Sequence, residues 1–314
     1  MRKCLASPLL RCKQMAFNTI DEILSRARSG RRRTVAIPAA ADMHTLEAVI
    51  RAHSEGIIEP YLIGDRDRIA ALLDELHHPE LKNCVVPSAS DEESAAKAVD
   101  LCFRGKAQLL MKGKLDSSVF LRPVMSSKTG LRKGETLSHL AFFEIPTYHK
   151  LLAITDSAVL IKPELNMKKA MLENALSFMR DCGYEGDIKV AVLAAIENVN
   201  SKMPETEDAA ALKAMAARGA FPRAIVEGPI SLDLATNSSA VEAKGYKSPV
   251  AGDADLLVLP DIAAANILVK SLKFAKAKSL GCVTGGTVPI ALSSRGTTVE
   301  SKYLTLVFMA ASLS

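Results

Sequence analysis

Tryptophan is absent, and aromatic residues make up only 4% of the 314-residue chain. A core must therefore come from Ala, Leu, Ile and Val, as buried parallel strands and small-residue helices require. Clustered Lys and Arg interleaved with stacking aromatics, the mark of nucleic-acid binders, are missing too. The net charge of +5 is mild. The one dense basic run, Arg31-Arg32-Arg33, stands just before an apolar segment and reads as a solvated entrance to the fold. The six cysteines, Cys4, Cys12, Cys84, Cys102, Cys182 and Cys282, form no CxxC pair. That spacing excludes the usual zinc and disulfide frameworks. Reduced thiols in a cytoplasmic protein are expected. The six histidines contain no HExxH pair. No apolar run reaches the roughly 18 residues needed to cross a bilayer, so no membrane partner is expected. No GxxxxGK[ST] loop, internal repeat or low-complexity segment is present.

What is there is globular: hydrophobic residues are 48% and charged residues 24% of the chain, enough for one large or two medium domains. The first fourteen residues, MRKCLASPLLRCKQ, are basic with an apolar middle too short for a signal core. Met15 precedes an amphipathic segment, AFNTIDEILSRARSG, and is the expected start of translation. Apolar strands then alternate with helices. Thr34–Pro38 leads to a helix capped by Asp42 and ended by Gly56. Tyr61–Ile63 leads to a helix over Ile69, Leu72, Leu73 and Leu76. Asn83–Val86 leads to a helix capped by Asp91, and Gln108–Met111 follows. After an extended stretch, Leu137–Ile145, strands at Leu151–Thr155, Lys189–Ala195, Ala224–Glu227 and Asp255–Leu259 alternate with helices at 165–182, 208–218 and from Ala263. The spacing predicts an α/β fold with a largely parallel sheet and helices on both faces. A break between two lobes is expected around Ile145–Lys150.

In open α/β sheets, ligands gather beyond the carboxyl ends of strands. Two strand ends are rich in suitable groups. Gly281–Thr284 breaks at Gly285-Gly286, Val288–Leu292 follows, and the chain then reads Ser293-Ser294-Arg295-Gly296 before a helix near Val299. Two hydroxyls, a guanidinium and free backbone N–H groups at one point suit a phosphate dianion. A polar turn with a solvated arginine has the same local spacing. The second end reads Lys112-Gly113-Lys114-Leu115-Asp116-Ser117-Ser118, opens a helix, and carries Arg122 one turn in. The alternative there is a cap whose lysines point to water.

Six stretches, taken in order, carry a resemblance: MKGKLDSSVFLRPV, TLSHLAFFEIPTYHKLL, AIENVNSKMPET, VEGPISLDLA, SPVAGDADLLVLPDIAAANILVKSL and PIALSSRG. From about Arg32 onward the sequence resembles the phosphate acyltransferases, the phosphate acetyl- and butyryltransferases. LRKGETLSHLAFFEIP and the short length look more like the butyryl or branched-chain branch, with phosphate acetyltransferase the alternative. The resemblance implies reversible acyl transfer between coenzyme A and inorganic phosphate, both as substrates, with no metal and no further cofactor. It implies two α/β/α domains around a cleft, a fold similar to isocitrate and isopropylmalate dehydrogenases. The expected division is an extension over 1–30, a first domain of 31–148 plus about 287–314, and a second of 149–286. Homodimers or larger assemblies are the family's usual state.

Carried over residue by residue, Ser294 and Arg295 fall on the family's Ser-Arg pair, which serves phosphate binding and transition-state stabilisation. Arg122 falls on the arginine of its Arg-Pro step. Asp253, Asp255, Asp261 and Asn266 are placed along the cleft. Lys112, Lys114, Asp116 and Ser117 complete the expected substrate-binding set. One departure matters. The family's Ser-Arg-Ala-Asp string reads Ser294-Arg295-Gly296-Thr297 here, and the acidic position in the next helix is matched by Ser301. Glu300 beside it is the candidate base for the thiol; a first-turn glutamate favoured by the helix dipole is the plainer reading. Rival functions are a metal-dependent hydroxyacid dehydrogenase of similar fold, with Asp253, Asp255 and Asp261 as imagined ligands, and a non-catalytic acyl-coenzyme A or phosphate binder.

Overall fold

The computed structural model of the protein describes residues 19–134, 136–292 and 297–313. Each apolar run bounded by turn residues becomes a strand. In chain order these are β1 (Arg33–Pro38), β2 (Ile58–Gly64), β3 (Val85–Pro87), β4 (Leu109–Met111), β5 (Ser138–Glu144), β6 (Leu152–Thr155), β7 (Ile188–Leu193), β8 (Ala224–Ile230), β9 (Leu256–Val258), β10 (Lys278–Thr284) and β11 (Ile290–Ala291). They join in one 11-stranded sheet of order β3-β2-β1-β4-β11-β10-β5-β6-β9-β7-β8.

The helices are α1 (Ile20–Ser29), α2 (Met43–Ser54), α3 (Arg66–Glu75), α4 (Asp91–Phe103), α5 (Ser117–Val124), α6 (Leu165–Asp181), α7 (Pro204–Ala217), α8 (Leu232–Thr236), α9 (Ser238–Lys244), α10 (Ile262–Phe274) and α11 (Val299–Ala311). Their starts follow capping chemistry. Asp42 accepts the Thr45 N–H at 3.0 Å and Asp261 accepts the Ala264 N–H at 2.9 Å, each satisfying a donor that the first turn leaves open. At α4 the cap is Ser90, whose Oγ accepts the Glu93 N–H at 3.2 Å. Asp91, expected as the cap, is the first helical residue instead.

The sheet departs from the simple parallel expectation in one place. Both wings, β3-β2-β1-β4-β11 and β6-β9-β7-β8, are parallel throughout. Between them β10 runs antiparallel to β11 and to β5, and β5 runs antiparallel to β6. The second wing is therefore reversed relative to the first. The boundary expected at 148 falls in the β5–β6 connection and the one at 287 falls between β10 and β11. The pair β5–β10 straddles that division, in register from Ser138↔Thr284 to Glu144↔Lys278.

Alternation along these central strands sorts side chains to two faces. Leu140, Phe142, Leu280 and Cys282 join the larger core with the buried face of α11, where Phe308 meets Phe142 edge-on at 5.0 Å. Ala141 and Phe143 face the core beside α10, with Leu257, Ala265 and Val269. The short β11 touches β10 at a single position, Val283↔Ile290. Among the described residues, β10 from Lys278 to Cys282 has no strand on that side, and the sheet is notched there.

Candidate active site

A cavity of about 250 Å³ occupies the notch. Strand β10 supplies Ser279 and Gly281, and β5 supplies His139, Ala141 and Phe143 from the same face. Ser157 and Ala158 come from the turn after β6. Helix α10 contributes Asn266, Val269, Lys270 and Lys273, a set spaced to share one helical face. From across the notch come Leu292, Thr297, Ser301 and Thr305, the last two one turn apart on α11. Gly281 sits where a Cβ would lie 2.7 Å from the Leu140 carbonyl, so a side chain there would push against the neighbouring strand.

The electrostatics are one-sided. Two lysines and a histidine line the cavity, and none of its described lining residues is an aspartate or glutamate. Much of the Lys273 side chain is exposed, yet partial burial, followed by the neighbouring Lys270, holds its ammonium pKa below the usual lysine range. Neither lysine has an ion-pair partner among the described residues. Such a pair of cations beside hydroxyls is suited to a multiply charged oxyanion. On the same walls, Ala141, Phe143, Val269 and Leu292 offer an apolar strip.

His139 is fixed from several sides. Its backbone N–H donates to Asp156 Oδ2 at 2.8 Å, and its carbonyl accepts from Thr155 Oγ1 at 2.9 Å. Its Nδ1 lies 3.1 Å from Ser157 Oγ. Asp156 is itself held, its Oδ1 accepting the Ala158 and Val159 N–H groups at 2.7 and 2.9 Å. Burial is the main cause that lowers the His139 pKa; Lys273 adds to it and Asp156 opposes it. Asn266 Nδ2 donates to the Ser157 carbonyl at 3.2 Å, tying α10 to the same turn.

The other residues marked by the sequence fall in different surroundings. Lys112 is buried, 2% exposed, with Nζ donating to the Leu115 carbonyl at 2.7 Å. It thus braces its own loop rather than pointing to water. Gly113 is required there, because a Cβ would lie 2.3 Å from the Pro38 carbonyl. Lys114 is exposed and 4.0 Å from Asp42. It borders a separate hollow at the ends of β1 and β2, near Arg68, Ser88 and Ser94. Asp116 takes the N-cap position of α5. It, Ser117 and Arg122 are exposed and do not line the notch cavity. Asp261 is spent as the α10 cap.

Because the wings run in opposite senses, Lys112 after β4 and Asp261 after β9 stand at opposite edges of the sheet. Glu300 also leaves the cavity: Arg51 Nη1 binds its Oε2 at 2.5 Å while stacking on the Tyr303 ring, 3.6 Å from its centroid. Ser301, next to it, is the residue that turns to the cavity. Ser294 and Arg295 lie outside the described residues, as do residues 1–18 with the expected start at Met15. The residues on either side of 293–296, Leu292 and Thr297, both line the notch.

Asp253 and Asp255 are committed to cations of the protein. Lys150 Nζ lies 2.7 Å from Asp253 and 2.6 Å from Asp255, and Lys189 and His149 also bind Asp253. These contacts clamp the β5–β6 connection onto β9 and leave the pair poorly disposed as ligands. Among the described residues, no helix is long and apolar enough to cross a membrane. Four cysteines are described, all as free thiols. Burial pushes the thiols of Cys84 and Cys102 up to about 11 and about 12, and that of Cys282 well above the usual thiol range. None of these is poised as a nucleophile.

Comparison with known proteins fits this geometry. Residues 88–311 match the family model described as phosphate acetyl/butaryl transferase. The chain belongs to that family. It is 40% identical to a phosphate acetyltransferase of Thermotoga maritima, over 93% of this chain and 98% of that protein. It is 36% identical to a phosphate butyryltransferase of Clostridium acetobutylicum, over 91% and 95%. Among solved structures it resembles a branched-chain phosphotransacylase from Enterococcus faecalis, with TM-score 0.79 and 34% identity, covering 90% of this chain and 99% of that one. A 4-hydroxythreonine-4-phosphate dehydrogenase from Burkholderia phymatum, TM-score 0.52 at 14% identity, shares the fold alone. The α/β fold and its dehydrogenase-like character, expected from the resemblance, are borne out.

Proposed function

We propose that the protein is a phosphate acyltransferase that moves a short-chain acyl group, butyryl or branched-chain by preference, between coenzyme A and inorganic phosphate. The family match over most of the chain supports the reaction class. The observation that carries the site is the notch cavity, where Lys270 and Lys273 stand beside an apolar strip with no carboxylate among the described lining residues.

The chemistry asks for little more. Acyl phosphate and thioester interconvert through a tetrahedral oxyanion that forms next to a phosphate already carrying charge. Fixed cations and hydroxyls must offset that charge as it builds. Lys270 and Lys273 hold the phosphate, and the hydroxyls of Thr297, Ser301 and Thr305 donate to its oxygens or to the developing oxyanion. Holding both reactants in one cleft replaces an encounter in solution by a step within a ternary complex. Ser294 and Arg295 are assigned to the phosphate from their sequence match, and the approach of Leu292 and Thr297 to the cavity supports that assignment. Arg122 is assigned a supporting role toward coenzyme A or phosphate. No resident metal or cofactor enters the scheme. The protein is read as a cytoplasmic homodimer or larger assembly.

The preference for a longer acyl group rests on the strip Ala141, Phe143, Val269 and Leu292. Ala141 and Gly281 present little or no side chain at its middle, leaving room for methylenes. Each buried methylene contributes about 0.8 kcal/mol, so a butyryl group, two methylenes longer, can gain about fifteenfold over acetyl. The test is thiol release from acetyl-, butyryl- and isobutyryl-coenzyme A, with and without phosphate. Phosphate-dependent release, fastest with the longer or branched group, is expected. Fastest release from the acetyl thioester would reassign the acyl preference. Release independent of phosphate, or binding without release, would refute acyl transfer to phosphate.

A further inference from the structure

Acyl transfer needs a base for the coenzyme A thiol, which is mostly protonated at neutral pH. The helix position where the family's carboxylate is expected holds Ser301, and Glu300 is bound by Arg51 outside the cavity. Resting on the acyl-transfer reading above, we infer that His139 is the general base, with Ser157 positioning its ring.

The geometry supplies each requirement. The ring lines the cavity beside Lys273, and Nδ1 is held 3.1 Å from Ser157 Oγ. In the tautomer we assign, Nδ1–H donates to Ser157, which leaves the Nε2 lone pair as the basic site. Nε2 has no protein partner among the described residues. The charged groups around the ring come from two elements: Asp156 from the turn after β6, and Lys270 and Lys273 from α10. The cavity residues of β10 and α11 carry no titratable side chain. Burial, opposed by Asp156 and aided by Lys273, lowers the His139 pKa, which favours the neutral form that a base needs. Asp156 then steadies the imidazolium once it forms, while the ammonium groups of α10 steady the thiolate and phosphate.

The step balances. The S–H bond breaks and an Nε2–H bond forms. The thiolate electron pair attacks the acyl carbon, giving the oxyanion. The oxyanion collapses, the bond from the acyl carbon to the phosphate oxygen breaks, and the imidazolium proton passes to the departing phosphate, which leaves as hydrogen phosphate. In the reverse direction each transfer runs backward, and His139 protonates the leaving thiolate.

The test uses His139→Gln and His139→Asn in the full chain, assayed as wild type from acyl phosphate and coenzyme A across pH 5.5–9 (a range set about the ordinary imidazole and thiol values). General-base loss of about a hundredfold or more in kcat is expected, with little change in the acyl phosphate KM. The wild-type acid limb should lie below the ordinary imidazole range. In the variants it should vanish, and rate should instead follow ionisation of the thiol itself. Imidazole added to His139→Asn should restore part of the rate. Ser157→Ala keeps the base but frees the ring: kcat should fall about tenfold with the acid limb retained. A wild-type rate and pH profile in either histidine variant overturns the assignment. If melting curves show those variants unfolded, an unchanged kcat in Ser157→Ala overturns it instead. A wild type that transfers no acyl group from any thioester in the panel refutes the parent reading and the base together.

Discussion

Lys302 offers the sharpest test of what holds α11 against the first wing. The residue is 4% exposed, with Nζ 2.7 Å from Thr45 Oγ1 and 3.3 Å from Asp42 Oδ2. The gross attraction of two unit charges at that separation is about 5 kcal/mol at an effective dielectric near 20. Desolvation of the ammonium and carboxylate takes back a large part of it. Lys302→Met fills similar volume but leaves Asp42 without its cation. Breaking a buried pair in this way costs about 3–5 kcal/mol. Asp42 keeps 19% of its side chain in solvent and still accepts two bonds from Thr45, which puts the expected loss near the low end, about 3 kcal/mol. A chain of this size should then melt about 4–5 °C lower.

The pH dependence gives the diagnostic. Burial raises the Asp42 pKa, but Thr45 and Lys302 outweigh it and hold the folded value below 3.8. A depressed folded pKa adds stability above the unfolded value, and that stability is lost as pH falls through the folded value. The gap in melting temperature between wild type and Lys302→Met should thus be full at pH 7 and shrink below about pH 4. Adding Asp42→Asn to Lys302→Met should recover part of the loss at pH 7. A gap that does not change with pH, together with no recovery in the double variant, would refute the ion pair as the cause.

The remaining predictions concern the site and its scaffold. Lys270→Ala with Lys273→Ala should raise the phosphate KM at least tenfold, about 1.4 kcal/mol, in initial-rate assays; single variants should fall between. Glu300→Gln should leave the pH–rate profile in place and cost less than about 1 kcal/mol in a urea titration, because its pair with Arg51 is half exposed. Gly113→Ala should destabilise or misfold the chain, since its Cβ would meet the Pro38 carbonyl at 2.3 Å; a normal melt would mean that the β4 loop yields more easily than its contacts imply.

Much of the fold could be read from local pattern. Every predicted strand has a counterpart, from Thr34–Pro38 in β1 to Val288–Leu292 around β11, because short apolar runs closed by Gly, Pro, Asp or Ser have few other uses. Asp42 behaves as the expected cap, while the cap of α4 is Ser90, one residue before the expected Asp91. The short helices α8 and α9 escaped, since five to seven residues carry too little periodicity to stand out from a loop. The antiparallel join at β5 and β10 escaped too. Strand direction is a long-range property, and nothing near Ser138 or Lys278 states which neighbour lies beside it. Likewise Lys112 looks like a ligand lysine in sequence, and only its distance to the Leu115 carbonyl shows the ammonium closing its own loop.

The reversal at β5 and β10 also explains why the cavity residues were split between noticed and missed. Asn266 stood out through the resemblance. His139 and Ser157 did not, because each lies within or just past a strand and looks like sheet surface. Their meeting depends on β5 running antiparallel to β6, which brings the start of one strand beside the end of the other: Leu140 pairs with Thr155. Leu292, just past β11, and Ser157, after β6, both line the notch. Had β6 run parallel to β5, its carboxyl end would stand beside Glu144, and His139 would sit at the far edge from Ser157. The direction of two central strands, more than any single motif, thus decides which hydroxyl can hold the imidazole and which lysines can stand beside it.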